Sequence, residues 1–530
     1  MQQPPLTDTF KRSYEAFESY PRTLICHTTK RDADAYVARL ASAEPTLFEV
    51  DETQIEVPFR DLLPSKQGFQ KQNICDDAHL KDWLGDTSIP STVGGPPSGL
   101  LATKKDPLCR FIYFYAGHSR SPLRVNRQIL LRILSYHQVM PGYIDFLLVF
   151  GFQDEPRDLR FSGFREQNLL NTPIRGPAVE MLGRSGRQFQ LCYNLKAANC
   201  ISLAQTKVEH KVWSIRQAAI HHQFDIETGT SLWIVTKGDK EIKDRIEDLN
   251  GPIGQPEDRD FSSPEECFRR TLGVHMVYCN WATEDWRWYI QWLEEVLDHG
   301  TEKVFAPRKQ NRGCYVFEPR EVQEVQSYEE KIHIAIMMLD GNINILRSLK
   351  RFYGHLMVSK NFPWKSECSD DIMEFTDKLS VMIYDLEMQT SRINLLVKIS
   401  GDRKALASTS RVMQHIQAQG TEKMERMTES THNLGIMAQK EAIAVRIITV
   451  VTVIFLPATF VSTFFSTDVI KYQNGGDFSM HALLGWLAVT IPLTIVTLGL
   501  CYFFFQRSTR RKLGLLGQFL TPRSHKETKE

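Results

Sequence analysis

Hydroxyl side chains recur inside a long apolar run near the end of the chain. Residues 447–467 carry no charge, yet they include Thr452, Thr459 and Thr463, and Ser466 follows one turn on. Steps of three, four and seven residues place these hydroxyls on one stripe of a helix. Such a stripe suits hydrogen bonds to a hydrated cation. In the alternative interpretation, each hydroxyl bonds the carbonyl four residues earlier in its own helix.

Two neighbouring residues also bear on ion chemistry. Asp468 follows the apolar run directly, and its carboxylate, repeated around a symmetry axis, would concentrate cations at an entrance. As a single residue it would instead be a solvated acid in a loop. Pro457 removes a hydrogen bond to the carbonyl of residue 453 and predicts a helix kink beside the stripe. Prolines also occur in membrane helices without any gating role.

Two segments are predicted to span a membrane. Residues 447–467 and 482–506 are both free of charged side chains. At 1.5 Å per residue, each is longer than the ~30 Å hydrocarbon core of a bilayer. Buried helices of soluble proteins seldom remain free of charge over such a length. The intervening residues 468–481 contain Asn474-Gly475-Gly476, so we expect a transmembrane hairpin with a short external loop.

The flanking charges predict the orientation of this hairpin. Basic residues stand before the first span and after the second: Lys440, Arg446, Arg507, Arg510, Arg511 and Lys512. The loop holds one, Lys471. The positive-inside rule therefore places both termini in the cytosol. The N-terminal residues lack the apolar region of a secretory signal, and the cysteines stand singly. We expect an integral membrane protein, in the plasma membrane rather than an organelle.

Two helices enclose no water-filled path, so a pore requires self-association. The sequence offers an apolar seam at steps of three and four residues, comprising Met424, Met427, Thr431, Leu434, Ala438, Glu441, Val445, Ile448, Thr452, Phe455 and Thr459. This spacing keeps one face toward a neighbour or an axis along the whole helix. The predicted pore-lining residues are Val445, Ile448, Thr452, Phe455, Thr459 and Thr463.

Residues 446–468 read R-I-I-T-V-V-T-V-I-F-L-P-A-T-F-V-S-T-F-F-S-T-D. This resembles the pore helix of the CorA-like magnesium transporter superfamily, in which I-T-x-x-T-x-x-F-x-P-x-T-F leads into a Gly-Met-Asn signature. It is most similar to a divergent branch typical of filamentous fungi, whose helix ends in F-F-S. Alignment on Pro457 and Thr459 places Ser466, Thr467 and Asp468 where Gly, Met and Asn would stand. Upstream of about residue 320 there is no diagnostic motif.

The resemblance implies a function as well as a fold. It implies a homo-oligomeric channel or transporter for divalent cations, with Mg²⁺ as the transported ion and five subunits around the pore. Ser466, Thr467 and Asp468 would form the ion entrance, and no resident cofactor is expected. Because the signature triplet is replaced, ion selectivity and conduction itself stay open. The alternative is a membrane-anchored signalling or scaffold protein that keeps the fold without conducting.

We expect an α+β protein, with a cytosolic α/β domain followed by long stalk helices and the transmembrane hairpin. The predicted divisions are residues 1–104 (an N-terminal region with a Pro/Gly/Ser-rich linker at 86–107), 105–320 (the α/β domain), 321–446 (long helices and stalk), 447–467, 468–481, 482–506 and a basic tail at 507–530. Apolar runs predict strands at 111–115, 146–150, 189–193, 212–215 and 232–235. Helices are predicted at 124–137, 284–298, 328–358, 367–400 and 403–466, with a break at Gly401-Asp402.

Enzymatic and nucleic-acid functions find no support. Lys+Arg number 64 against 63 Asp+Glu, so no strong basic field favours nucleic acid. His221 and His222 are adjacent, and in a strand they point to opposite faces rather than forming a site. Trp286, Tyr289 and Leu293 recur at helical spacing, which predicts a core face rather than a stacking platform. We therefore predict that the protein is not an enzyme and that its partners are the lipid bilayer and copies of itself.

Overall fold

A computed structural model describes residues 7–26, 28–64, 68–88, 100–102, 104–118, 120–152, 160–171, 178–201, 212–237, 240–250, 260–305, 319–466 and 480–519. The chain divides into two compact units, Met1–Arg411 and Val412–Glu530. We call them the soluble unit and the hairpin unit.

A seven-stranded sheet forms the centre of the soluble unit. The strands are β1 (Val57–Leu62), β2 (Phe69–Ile74), β3 (Asp86–Ser88), β4 (Leu100–Ala102), β5 (Cys109–Phe114), β6 (Phe164–Asn168), β7 (Gln188–Cys200), β8 (Trp213–Asp225) and β9 (Ser231–Lys237). The order in the main sheet is β2-β1-β5-β9-β8-β7-β6, and β3 pairs with β4 separately. Strands β5 and β9 are parallel, and the other neighbouring pairs are antiparallel.

Helices cover both faces of this sheet and continue beyond it. They are α1 (Asp8–Glu15), α2 (Lys30–Leu47), α3 (Asp77–Leu84), α4 (Arg127–His137), α5 (Tyr143–Leu147), α6 (Lys240–Asn250), α7 (Pro264–Thr283), α8 (Trp286–Phe305), α9 (Pro319–Val358), α10 (Ser369–Ser466) and α11 (Met480–Phe519). Side-chain caps start several of them. Asn126 accepts from the Ile129 amide at 2.8 Å before α4, and Ser263 accepts from the Glu266 amide before α7.

The alternation of side chains along the strands divides the interior into two cores. Phe111 and Tyr113 of β5 face one core, which helices α6 to α10 complete. Ile112 and Phe114 face the other, which α1 to α5 complete. Because successive side chains of a strand point to opposite faces, a sheet covered by helices on both sides needs apolar residues at every position. The fold class is thus mixed α/β followed by long helices, which confirms the prediction.

Most of the strands and helices predicted in the soluble unit are confirmed, but the strand predicted at 146–150 is wrong. Strands at 111–115, 189–193, 212–215 and 232–235 fall in β5, β7, β8 and β9, and the helices at 124–137, 284–298 and 328–358 fall in α4, α8 and α9. The predicted strand at 146–150 lies instead in α5 and the turn after it. Its short apolar run is buried in the second core. Periodicity alone does not separate a short buried helix from a strand.

The sheet crosses the division predicted at residue 104. β1 lies before that point, and it pairs with β5, which lies after it, with Asp61 opposite Arg110. β1 resembles no ordinary strand in sequence because it contains Pro58, Arg60 and Asp61. The Pro/Gly/Ser-rich linker at 86–107 contains β3 and β4, and its residues 89–99 lie outside the described residues.

The predicted break at Gly401-Asp402 is wrong, because α10 runs unbroken from Ser369 to Ser466. Contacts with the rest of the soluble unit hold the helix on both sides of the glycine. Ser400 is fully buried, Arg403 pairs with Asp298 at 2.5 Å, and Lys404 pairs with Glu329 at 2.9 Å. A glycine inside a helix costs only about 1 kcal/mol relative to alanine, which such contacts offset.

Candidate functional site

In the part of the chain that the structure describes, two helices are long and apolar enough to cross a membrane. They are the segments Ser369–Phe464 and Leu483–Phe504, whose most apolar windows have a mean hydropathy of 2.2 and 2.1. The window in each is only 6% buried within the chain. An apolar surface of this extent is not stable in water, and a bilayer would cover it. Residues 447–466 of the first predicted span form the end of α10, and the second predicted span, 482–506, lies within α11.

One face of α10 packs against α11 in the hairpin unit. Pro457 and Val461 are buried there, and Val461 is 3% exposed. On α11, Thr490 is buried, and Trp486 donates from Nε1 to Ser462 Oγ at 3.1 Å. Residues four apart share one side of a helix, so Pro457 and Val461 mark the side of α10 that α11 covers.

The hydroxyl stripe of α10 is turned away from Pro457. At about 100° per residue, Thr452, Thr459 and Thr463 are about 120° to 160° around the helix from Pro457. All three are exposed. The apolar members of the same stripe, Val445, Ile448 and Phe455, are 62%, 66% and 62% exposed. The members of the stripe are therefore exposed, although Thr459 and Thr463 also border a groove that Leu493 and Thr497 of α11 line.

The threonine hydroxyls of the stripe are held by their own helix. Thr452 Oγ1 donates to the Ile448 carbonyl at 2.8 Å, Thr459 Oγ1 to the Phe455 carbonyl at 3.1 Å, and Thr463 Oγ1 to the Thr459 carbonyl at 2.8 Å. This is the alternative arrangement that the sequence left open. It does not exclude the first, because a hydroxyl whose proton is engaged still has lone pairs to accept with. Water molecules around a cation donate hydrogen bonds, and back-bonded threonines are acceptors for them.

Three predicted site residues lie at or beyond the end of the described segment. Ser466 is the last residue of α10, whereas Thr467 and Asp468 lie outside the described residues. Pro457 is inside the helix, which continues through it. The kink and the ion entrance stay predictions. The loop predicted at 468–481 is described only at Met480 and His481, which begin α11, and the first part of the basic tail continues α11 to Phe519.

Exposed apolar residues also occur on α10 before the predicted seam. In the hairpin unit, Met424, Met427 and Leu434 are exposed, as the seam requires. In the soluble unit, α10 buries Phe375 and Leu379 on one side but exposes apolar residues on another, namely Met373, Val381, Tyr384, Met388 and Leu395. The signal for this second stripe was present in the sequence as steps of eight, three, four and seven residues. It was missed because charged residues intervene between its members.

The residues set aside as structural occupy buried positions. His221 Nδ1 lies 3.1 Å from Cys192 Sγ on one face of the sheet, and His222 stacks on Trp233 on the other, with ring centroids 3.9 Å apart. Their opposite orientation confirms the prediction. Burial lowers the pKa of His221 to about 3. Trp286, Tyr289 and Leu293 are buried, as predicted. Within the described part of the chain, no group of three His, Cys, Asp or Glu residues is arranged to hold a metal ion.

A large α/β unit followed by two exposed apolar helices is the arrangement expected of an integral membrane protein. A model of the CorA-like transporter family matches residues 12–305, more than half of the chain. The chain therefore belongs to the CorA-like transporters. This family consists of transporters, which confirms that the protein is not an enzyme. The match lies where the sequence showed no diagnostic motif, and the pore-helix resemblance at 446–468 lies outside it.

Several solved structures are similar to this chain at 12% sequence identity. The CorA magnesium transporter from Methanocaldococcus jannaschii has a TM-score of 0.36, with 85% of this chain and 98% of that chain covered. The soluble domain of the same transporter has a TM-score of 0.35, with 67% and 97% covered. The full-length CmaX protein has a TM-score of 0.30, with 86% and 98% covered. Among curated proteins, none matches the sequence significantly.

Proposed function

We propose that this protein is a homo-oligomeric channel or transporter for divalent cations, with Mg²⁺ as the transported ion. The observation that carries the proposal is the hydroxyl stripe of α10. Thr452, Thr459 and Thr463 are exposed residues on one stripe of the helix, and each hydroxyl donates its proton to a carbonyl of its own helix. Because Mg²⁺ loses its hydration water reluctantly, outer-sphere contacts of this kind suit it.

Self-association supplies the remaining walls of the pathway. One chain contributes two spanning helices, and these cannot enclose water. The exposed stripe and the exposed seam on α10 would meet their counterparts around an axis. A ring of five subunits is what the family resemblance implies. Cyclic symmetry closes such head-to-tail contacts without leaving an open end.

The membrane potential would drive entry of the ion. With both termini in the cytosol of a plasma-membrane protein, a divalent cation moving inward gains about 4.6 kcal/mol per 100 mV. Ser466, Thr467 and Asp468 would stand at the outer entrance, where repeated hydroxyls and carboxylates attract cations.

Ion flux into proteoliposomes tests the proposal directly. Purified full-length protein is expected to admit Mg²⁺ above the level of empty liposomes when the interior is negative. Thr459→Val should lower the flux at least about fivefold, since it removes a hydrogen bond worth about 1 kcal/mol from each subunit. Thr494→Val is the matched control, because Thr494 Oγ1 also donates to its own helix, at 2.7 Å, but lies on α11.

The alternative function predicts a different result in the same experiment. An oligomer that is intact by size measurement but passes no Mg²⁺ or Co²⁺ would overturn the transport proposal. It would favour a membrane-anchored scaffold, which the loss of the Gly-Met-Asn triplet would explain. Equal flux through the Thr459→Val variant and the wild-type protein would remove the hydroxyl stripe from the pathway while leaving transport itself in place.

A further inference from the structure

The amine of Lys196 is enclosed in the interior of the soluble unit. Lys196 lies in β7, and its side chain is fully buried, with 0% exposure. Lysines in folded proteins usually keep their ammonium group in water, because a buried charge is costly unless it is paired. The amine of a buried lysine therefore needs polar partners inside the protein.

Neutral oxygen atoms surround the amine. Nζ donates to the Phe161 carbonyl and to Ser162 Oγ, each at 2.5 Å. Among the described residues, no carboxylate lies within ion-pair distance of Nζ. An ammonium group has three protons to donate, so one would be left without either of these acceptors. A neutral amine has two N–H donors and one lone pair, which matches a carbonyl and a hydroxyl.

This amine lies where three parts of the soluble unit meet. Asn342 of α9 brackets the backbone of Lys196, accepting from its amide at 3.1 Å and donating to its carbonyl at 2.7 Å. Asn194, two residues earlier in β7, accepts from the Gly163 amide at 2.9 Å and donates to the Phe161 carbonyl at 2.8 Å. Residues 161–163 are thus fixed to β7, and β7 is fixed to α9.

The packing at this joint is unusually close. A Cβ atom added at Gly341 would lie closer to Ser162 Oγ than Cβ atoms approach other atoms in real structures. Residues 161–163 therefore pack directly on α9. Lys196 has no surface exposed to solvent in this arrangement. A proton added to the amine would create a buried charge that moving residues 161–163 away from α9 would relieve.

The charged residues of the surrounding elements do not neutralise Lys196. On β8, Arg216 is next to Gln217, which pairs with Lys196. On β6 the nearest charge in sequence is Arg165, and on α9 it is Asp340, next to Gly341. None of these three contacts Nζ. Burial alone lowers the pKa of Lys196, to about 7.

We propose that Lys196 is a proton-controlled lock, which joins residues 161–163 and α9 to β7 when its amine is neutral and loosens when the amine is protonated. The sign follows from proton binding in the two states. An opened, solvated lysine has a pKa of about 10.4, whereas the closed state has a pKa of about 7. Between these values the open state binds one more proton, so the lock tightens as pH rises above 7 and weakens toward 7.

The lock acts on the helix next to the one that carries the stripe. α9 contacts the first part of α10 within the soluble unit, through the ion pair of Arg347 with Glu387 and the hydrogen bond of Lys350 Nζ to Ser380 Oγ at 2.8 Å. Any effect on ion flux rests on the proposed function. The lock itself does not, so its test uses structure rather than transport.

Amide hydrogen exchange on the full-length protein in lipid nanodiscs tests the lock. After correction for the intrinsic pH dependence of exchange, protection of wild-type peptides covering 160–168 and 335–345 should rise roughly tenfold per unit between pH about 7 and about 9. Lys196→Met should abolish this pH dependence. Lys350→Met, which removes an exposed lysine that also donates to a serine, should keep it.

Two results would overturn the proposal. One is wild-type protection of these peptides that does not change with pH, a comparison that needs no variant and no folded mutant. The other is the same pH dependence in Lys196→Met as in the wild-type protein. Loss of Mg²⁺ flux with the lock intact would instead count against the proposed function alone.

Discussion

Two buried ion pairs hold the N-terminal part of the sheet to its surroundings. Arg110 binds Asp61 with two hydrogen bonds, Nε to Oδ1 at 2.9 Å and Nη2 to Oδ2 at 2.5 Å, across the pairing of β5 with β1. Arg184 binds Asp106 in the same way. All four side chains are largely removed from water. Removing one member of such a pair leaves an uncompensated charge in the interior.

Asp61→Asn should therefore destabilise the soluble unit strongly. We expect a loss of about 3–5 kcal/mol in the free energy of unfolding, because Arg110 keeps its charge without its carboxylate. Denaturant titration of the full-length protein in detergent, followed by tryptophan fluorescence, would measure it. Glu374→Gln breaks the exposed pair with Lys378 and should leave the midpoint unchanged. Similar midpoints for the two variants would show that the buried pair contributes no more to the free energy of unfolding than the exposed pair does.

Gly341 and Gly354 offer a matched comparison within α9. A methyl group at Gly341 would collide with Ser162, whereas nothing lies within 4 Å of one at Gly354. Gly341→Ala should cost about 1–3 kcal/mol through overpacking. Gly354→Ala should gain up to about 1 kcal/mol through helix propensity. Thermal unfolding of both variants checks the difference, and equal shifts of the same sign would contradict the close approach at residue 162.

At the scale of elements, α10 carries apolar residues on two sides within the soluble unit. Phe375 and Leu379 fill the first core, and Val381 and Tyr384 point outward at 62% exposure each. A helix with two apolar faces needs a second surface to cover the outer one. Continuation of this spacing into the seam of the hairpin unit favours another copy of the same chain.

Val381→Lys should weaken self-association without unfolding the chain. A lysine placed on the outer stripe brings like charges together around the axis and disfavours contact between apolar side chains. The fraction of oligomer at a fixed protein concentration, measured by native mass spectrometry, is expected to fall. Val358→Lys makes the same change at an exposed valine of α9, which is not part of the stripe, and it should have a smaller effect. An unchanged fraction of oligomer in Val381→Lys would show that the outer stripe is not part of the subunit interface.

The elements that could be predicted from the sequence are those whose apolar residues form a continuous run or recur with a regular period. Continuous apolar runs disclosed β5, β7 and β9, because strands covered on both faces need apolar residues throughout. β1 and β6 were not found, since Pro58, Arg60 and Asp61 interrupt one and Phe164 is the only apolar residue of the other. Their strand conformation depends on the neighbours they pair with.

The candidate site was predictable to the same degree. Spacing alone identified the stripe of Thr452, Thr459 and Thr463, because residues of one helix keep a fixed angular relation. The packing of Val461 and Trp486 at the hairpin contact was not predictable, since it depends on how two helices meet. Nor was the enclosure of Lys196, whose neighbours Ser162 and Asn342 are distant in sequence.

At the scale of the whole molecule, buried histidines make the folded state less stable at acid pH. His137, His221, His222 and His275 are buried, and burial lowers the pKa of each below its ordinary value, to about 3 for His221 and His275. The unfolded chain binds protons at these histidines near pH 6.5, whereas the folded chain does not. Their neutral state stabilises the fold above that pH, and the stabilisation is lost as pH falls.

The free energy of unfolding should therefore decrease from about pH 6 downward, by up to about 1.4 kcal/mol per pH unit for each histidine. Chemical denaturation at a series of pH values measures the slope. His275→Phe should reduce that slope by the contribution of one histidine, up to about 1.4 kcal/mol per pH unit. An identical slope in the variant would show that His275 already carries its proton in the folded chain.

The strand order also constrains how the chain folds while it is being synthesised. β5 is synthesised early, but its parallel partner β9 follows only after β6, β7 and β8. Until the ribosome reaches residue 237, one edge of β5 has unsatisfied amides and carbonyls, and an exposed edge of this kind invites pairing with other nascent chains. We expect the growing polypeptide to need a chaperone over this interval. Both lipid-crossing helices leave the exit tunnel later still, so the protein reaches its bilayer with the sheet already closed.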